Sequence, residues 1–170
     1  MTFKRWIPTF LAFPLGGLLA YATVGSVTGV GTAAAAGLLA GAVIGVGQWL
    51  ALRDRVDARW AAVTAAAMTA GSAVAAVATG AGTETGELVV SGLIAGAAVG
   101  AAQGVLLHSR AWAAVTAASW GVAWLISAGV LAQQAGEGFV VFGSSGAIVA
   151  TVLTGLALRR VLAGGQTRLA

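Results

Sequence analysis

The sequence predicts an all-α integral membrane protein, a bundle of six transmembrane helices built from three repeated helical hairpins. Three observations carry this. Of 170 residues 59% are hydrophobic and only 8% are charged, against about 25% charged in ordinary soluble domains. Six apolar runs approach or exceed the roughly 20 residues that cross a bilayer core. The runs repeat one another in sequence. Uninterrupted apolar runs lack the period-two alternation of a membrane barrel, and backbone amides in hydrocarbon must pair within their own segment, so each run reads as a helix.

The first run, residues 6–25, follows Lys4 and Arg5 and contains Pro14. A proline there leaves the Phe10 carbonyl without its helical donor and predicts a kink. Ala20-Tyr21-Ala22 resembles a signal-peptidase site, but the run is long for a signal and completes the repeat described below. It is therefore read as a span. The second run, 30–52, ends at Arg53. The third, 59–80, begins at Trp60, and the fourth, 88–108, ends at the single histidine, His108. The fifth, 111–134, begins at Trp112, and the sixth, 139–158, ends at Arg159. The intervening segments Ser26–Gly29, Arg53–Ala58, Ala81–Glu87, Ser109–Arg110 and Ala135–Gly138 are short, so consecutive helices run antiparallel. The whole chain, 1–170, reads as one membrane domain, with hairpins at 1–54, 55–109 and 110–170.

All nine Lys and Arg residues fall before helix 1, between helices 2 and 3, between 4 and 5, or after helix 6. The opposite loops carry Glu84, Glu87 and Glu137. The positive-inside rule then places both termini in the cytoplasm of a multi-pass protein of the plasma membrane, in bacteria the inner membrane. The pI near 11.2 records this asymmetry and is no nucleic-acid signal, which needs cations clustered on a soluble face. The partner it implies is the lipid bilayer, through anionic headgroups.

The even helices align without gaps. Gly37, Gly41, Gly45 and Gln48 match Gly92, Gly96, Gly100 and Gln103, and then Gly143, Ala147, Thr151 and Thr154. Residues four apart share a helix face. Glycine there lets two backbones approach closely, and in lipid packing must supply the association because lipid tails are as apolar as the helices. The glycine stripes are expected to pack helices together, with the even helices inside the bundle, and could also join copies into a homo-oligomer or larger membrane complex. Odd helices repeat as well, since Trp60 to Ala66 recurs letter for letter as Trp112 to Ala118, with Trp6 opening the most divergent copy.

Polar and aromatic exceptions mark candidate pathway residues. Gln48, Gln103 and Thr154 stand five residues from the basic end, about 7 to 8 Å deep, where they can bond helix to helix or line a vestibule. Trp6, Trp49, Trp60 and Trp112 lie at the depth of an interfacial aromatic belt. Trp120 and Trp124 lie near the middle of helix 5, where Met68 and Ser72, or Pro14 and Leu18, stand in the other copies. They read as space filling or as one wall of a midplane cavity beside Pro14, the depth at which transporters hold substrates.

Catalysis has little support. The chain has no cysteine and one histidine, and no acidic or basic residue falls inside a predicted span, so no proton relay, metal site or cofactor is expected. Asp54 and Asp57 are interleaved with arginines, and Glu84 and Glu87 lack the oxygen ligands a tight cation site requires. No phosphate-cradling motif is present, since the glycine-rich stretches lack the Lys-Ser/Thr ending.

The stretch Gly37 to Arg53, through Gln48-Trp49-Leu50, resembles small polytopic bacterial membrane proteins in which a glycine-zipper helix runs into Gln-Trp-Leu and a basic loop. That resemblance implies no activity. The three-hairpin plan is similar in outline to mitochondrial carriers but lacks their Pro-x-Asp/Glu motif. Size and helix number are similar to energy-coupling-factor substrate-binding subunits, without a specific motif. The sequence therefore points to a non-enzymatic structural or accessory membrane subunit, with binding or transport of a small neutral or apolar solute as the alternative.

Overall fold

The computed structural model describes residues 3–130 and 141–166, with side chains of the second stretch described to residue 161. Among the described residues there is no strand. The helices are α1 (Phe3–Val24), α2 (Val30–Leu52), α3 (Arg59–Thr79), α4 (Thr85–Leu106), α5 (Ala111–Val130) and α6 (Ser144–Gln166). The first five are long and apolar enough to cross a membrane. The sixth has 23 residues and carries Arg159 and Arg160 toward its end. The expected loop Ala135–Gly138, with Glu137, the last residues of run five, the first of run six, and Arg168 lie outside the described residues.

Local chemistry sets the helix ends. Thr32 Oγ1 accepts the Gly29 N–H at 3.1 Å and donates to the Gly29 carbonyl at 3.0 Å, fixing the start of α2. Gly80 closes α3 in the left-handed region at φ 64°, a conformation that costs glycine little. The Glu84 N–H donates to Glu87 Oε2 at 3.0 Å, a capping-box bond that starts α4 at Thr85, three residues before the apolar run does. These two carboxylates thus serve a helix start. Pro8 sits in a 3-10 turn, Ile7–Leu11, and regular α geometry resumes at Ala12. The 3-10 turn contains Phe10, whose carbonyl Pro14 leaves without its helical donor, and Pro8 stands within the same turn.

Among the described residues each helix packs on its sequence neighbours, and α1 also packs on α6, so these six helices close into a ring. The most extensive interfaces join α2 to α3 and α4 to α5. A Cβ on Gly37 would meet the Met68 carbonyl and Ser72; on Gly41, Met68 and Ala65; on Gly45, Ala61 and Thr64. On Gly92 it would meet Trp120 and Trp124; on Gly96, Thr116, Trp120 and Ala117; on Gly100, Ala113 and Thr116. The two interfaces repeat position for position, with α4 residues 55 beyond those of α2 and α5 residues 52 beyond those of α3. In α6 the close approaches come at Gly146, against Ala123 and Ser127, and at Gly155, against Trp6 and Phe3. Gly143 lies just before α6, where its carbonyl accepts the Ala147 N–H at 2.9 Å.

Two consequences follow. The stripes on α2 and α4 are consumed inside the chain, so a contact with another copy would have to use a different surface. The interior is also shared by both sets of helices, with Ile44, Val99 and Ala147 from even helices and Phe13, Met68 and Trp120 from odd ones all buried. In a ring every helix has one inward face, so the odd helices share the centre with the even ones expected there.

Candidate functional site

The interior has three levels. At the basic end, Trp60 Nε1 donates to Gln48 Oε1 at 3.2 Å and Trp112 Nε1 donates to Gln103 Oε1 at 3.0 Å. An indole N–H can only donate, so each glutamine must turn its carbonyl oxygen to its tryptophan. That leaves the Gln103 amide to donate to Gln48 Oε1 at 2.9 Å and to Thr64 Oγ1 at 2.9 Å. Thr64 passes its own proton to the Trp60 carbonyl at 2.8 Å. Gln48 and Gln103 are 6% and 1% exposed. The network ties α2, α3, α4 and α5 together, with the two amides bonded directly to each other.

The third copy differs. Thr154 returns its hydroxyl to the Ala150 carbonyl at 2.7 Å, and Trp6 Nε1 donates to the backbone carbonyl of Thr151 at 3.0 Å. The hydroxyls of Thr116 and Thr151 are buried without a partner among the described residues. Trp6, Trp60 and Trp112 are all buried, packed with Leu52 and Leu158. They lie at the depth of an aromatic belt but face inward, because each indole N–H finds a buried acceptor. Trp49 is half-buried.

At mid-depth the centre is filled by aromatic rings. Phe142 stacks on Phe13 with centroids 5.0 Å apart, and meets Trp120 and Trp124 edge-on at 5.6 and 6.1 Å. Phe13 meets Trp120 edge-on at 5.7 Å. Such pairs contribute beyond the area they bury. Pro14 is half-buried and lines neither described cavity.

Above the rings, toward the acidic loops, lies a cavity of about 50 Å3. Trp120 and Trp124 contribute to it together with Ser72, Thr79, Ser91 and Ala95. Gln48, Gln103 and Thr154 do not line it. Its volume suits a few water molecules and falls well below the roughly 300 to 1,000 Å3 of a drug-sized ligand site.

Among the described residues no group of three metal-ligating side chains comes together. Charged contacts stay at the basic surface. Arg5 bonds Asp54, and Arg59 bonds Asp57 at 2.6 Å. The Arg5 guanidinium holds the Asp54 carboxyl below its ordinary 3.8, first through the hydrogen bond and then through its charge. His108 occupies a left-handed turn at φ 51° after α4.

Sequence reasoning missed the inward tryptophans, Thr64, and the hydroxyls of Ser72, Thr79 and Ser91. A signal for two of the tryptophans was available: Trp60 opens an odd helix 12 residues after Gln48, and Trp112 opens another 9 residues after Gln103. No protein-family model, curated protein or solved structure matches the chain.

Proposed function

We propose that the protein is a non-enzymatic integral membrane protein acting as a structural or accessory subunit of a membrane assembly. It crosses a bacterial plasma membrane six times with both ends in the cytoplasm. The carrying observation is the closed interior: the amide–indole network blocks the basic half and four aromatic rings fill the middle. Position-for-position recurrence of the α2–α3 and α4–α5 interfaces supports the three-hairpin repeat. Its natural unit pairs helices across the basic-end turns, so that α6 and α1 form the third pair through the chain ends. The confinement of described cations to one end of the bundle supports the orientation.

The orientation is tested on a chain that has no native cysteine. Thr83→Cys in intact cells is expected to react with a membrane-impermeant maleimide, and Arg55→Cys only after the membrane is opened. The reverse pattern would invert the topology.

A second reading, binding of a small neutral solute, is favoured by one observation: the cavity above Trp120 and Trp124 carries hydroxyls on a mainly apolar wall. Thermal unfolding of the purified protein against a panel of small neutral solutes separates the two. The structural reading expects no solute to raise the midpoint. A solute that raises it, and loses that effect in Ser72→Val or Trp124→Phe, would replace the structural reading with the binding one.

A further inference from the structure

The outer face of α1 and α2 carries a groove of about 480 Å3, within the range of ligand sites. Small residues, Thr9, Ala12, Gly47 and Ala51, contribute to it, and Leu15, Val43, Val46 and Leu50 stand beside them. Ala12 and Gly47 face each other across the two helices, since a Cβ on Gly47 would come 2.9 Å from that of Ala12. The groove spans eleven residues of α1, from Arg5 to Leu15, or about 15 to 18 Å of mixed 3-10 and α rise over the ten steps between them. One leaflet of a bilayer core, half of roughly 30 Å, has about that depth.

Polarity along the groove is ordered. Arg5 stands at the basic end, with Lys4 beside it and Arg53 and Arg55 on the adjoining loop. Next comes Thr9, 5% exposed, whose buried hydroxyl has no partner among the described residues. Thr23, Thr69, Thr79 and Thr154 instead return theirs to a carbonyl one turn back. Thr9 lies in the 3-10 stretch next to Pro8. Beyond Thr9 the wall is apolar. Anion binder, lone hydroxyl donor and apolar channel follow one another with depth, as phosphate, ester carbonyl and acyl chain do in a phospholipid.

We propose that this groove binds one anionic phospholipid from the leaflet at the Arg5 end. Arg5 takes the phosphate, Thr9 donates its hydroxyl to the ester carbonyl and the acyl chain lies along Ala12 and Gly47 toward Leu15. The Arg5 guanidinium has five N–H donors, so it serves a phosphate while keeping Asp54, and the surrounding cations outnumber that carboxylate. The site concerns the lipid-facing surface and is independent of what the closed interior does.

The test is thermal unfolding and native mass spectrometry of the full chain, delipidated in mild detergent and then supplied with phosphatidylglycerol, phosphatidylcholine or inorganic phosphate. Phosphatidylglycerol is expected to raise the midpoint by several degrees and to remain as one bound lipid, while the other two do neither. Val46→Trp fills the groove from a wall residue that is 44% exposed, so the lipid-free midpoint is expected to hold while the affinity for phosphatidylglycerol falls at least about tenfold. Arg5→Gln is expected to weaken it similarly and Thr9→Val less. Asp54→Asn, which removes the ion pair and keeps the cation, is expected to leave binding unchanged or tighter. Equal effects of phosphatidylcholine or of free phosphate would overturn the proposal, as would full phosphatidylglycerol affinity in Val46→Trp or loss of binding in Asp54→Asn.

Discussion

Gly96→Val is expected to prevent stable accumulation of the folded protein, whereas Gly31→Ala, on an equivalent helix, is expected to leave it unchanged or slightly more stable. Gly31 has open space around its missing Cβ, so alanine there gains only helix propensity, about 0.5 to 1 kcal/mol. A Cβ on Gly96 would lie 2.9 Å from the Thr116 carbonyl oxygen, 2.9 Å from Trp120 Cβ and 3.0 Å from Ala117 Cα. These atoms belong to backbone or to the root of a large ring, and none can swing away. Overpacking alone costs about 1 to 3 kcal/mol, and the two methyl groups of valine must separate α4 from α5 along an interface that has no hydrophobic effect to restore it. The comparison is made by steric-trap or detergent unfolding of both variants. Equal stability of Gly96→Val and wild type would mean that the stripe does not hold the helices together.

The same glycine shows how much of the fold could be read in advance. The spacing of Gly37, Gly41 and Gly45, copied at Gly92, Gly96 and Gly100, announced close helix contact, because only backbone approach explains glycine at every fourth position. It did not say which neighbour would be approached. The stripes meet the following helix, across the basic turn, and the chain was divided at those same turns when the hairpins were drawn at 1–54, 55–109 and 110–170. A cyclic arrangement can be cut at either set of turns, and a linear sequence favours the cut that begins at its first residue. The end of α2 was legible where its apolar run met Arg53, but the charge at Arg159 did not mark an end, since α6 continues to Gln166. Nor was the start at Thr85 legible, where a capping carboxylate starts α4 ahead of the apolar run.

The aromatic residues show the opposite limit. Composition and depth gave Trp60 and Trp112 to the membrane interface, since a tryptophan beside an arginine near a span end satisfies that rule. Facing inward required an acceptor for the indole N–H, and that acceptor lay on another helix. Depth along a helix is a one-dimensional property that a sequence carries well. Direction around the helix depends on which neighbour supplies the partner, and here the repeated pairing of Gln48 with Trp60 and Gln103 with Trp112 held that information. Trp120 and Trp124 were singled out because their copies are Met68 and Ser72. The structure gives that difference a use: the two rings fill the centre with Phe13 and Phe142 and contribute to the cavity above.

Gln103→Leu is the substitution that tests the closed basic half. The change keeps much of the volume and removes three bonds at once: donation to Gln48, donation to Thr64 and acceptance from Trp112. Interhelical hydrogen bonds in membranes average only about 0.6 kcal/mol, up to about 1.7, because the separated helices find other partners. The larger cost is the orphan, since the Trp112 N–H stays buried without an acceptor at about 1 to 3 kcal/mol. Together these predict a loss of about 2 to 4 kcal/mol. Gln103→Glu separates the causes, because the amide donates two bonds, to Gln48 and Thr64, where a carboxylate donates none and a protonated acid only one, while the acceptor for Trp112 remains. Its unfolding should therefore approach that of Gln103→Leu, yet the Trp112 indole proton should keep its hydrogen-bonded chemical shift. A double-mutant cycle of Gln103→Leu with Thr64→Val isolates one bond, with an expected coupling of about 0.6 to 1.7 kcal/mol. Zero coupling, together with an unshifted Trp112 indole proton in Gln103→Leu, would show that the four residues are neighbours without being a network. The closure of the basic half would then rest on packing of Trp6, Trp60 and Trp112 alone.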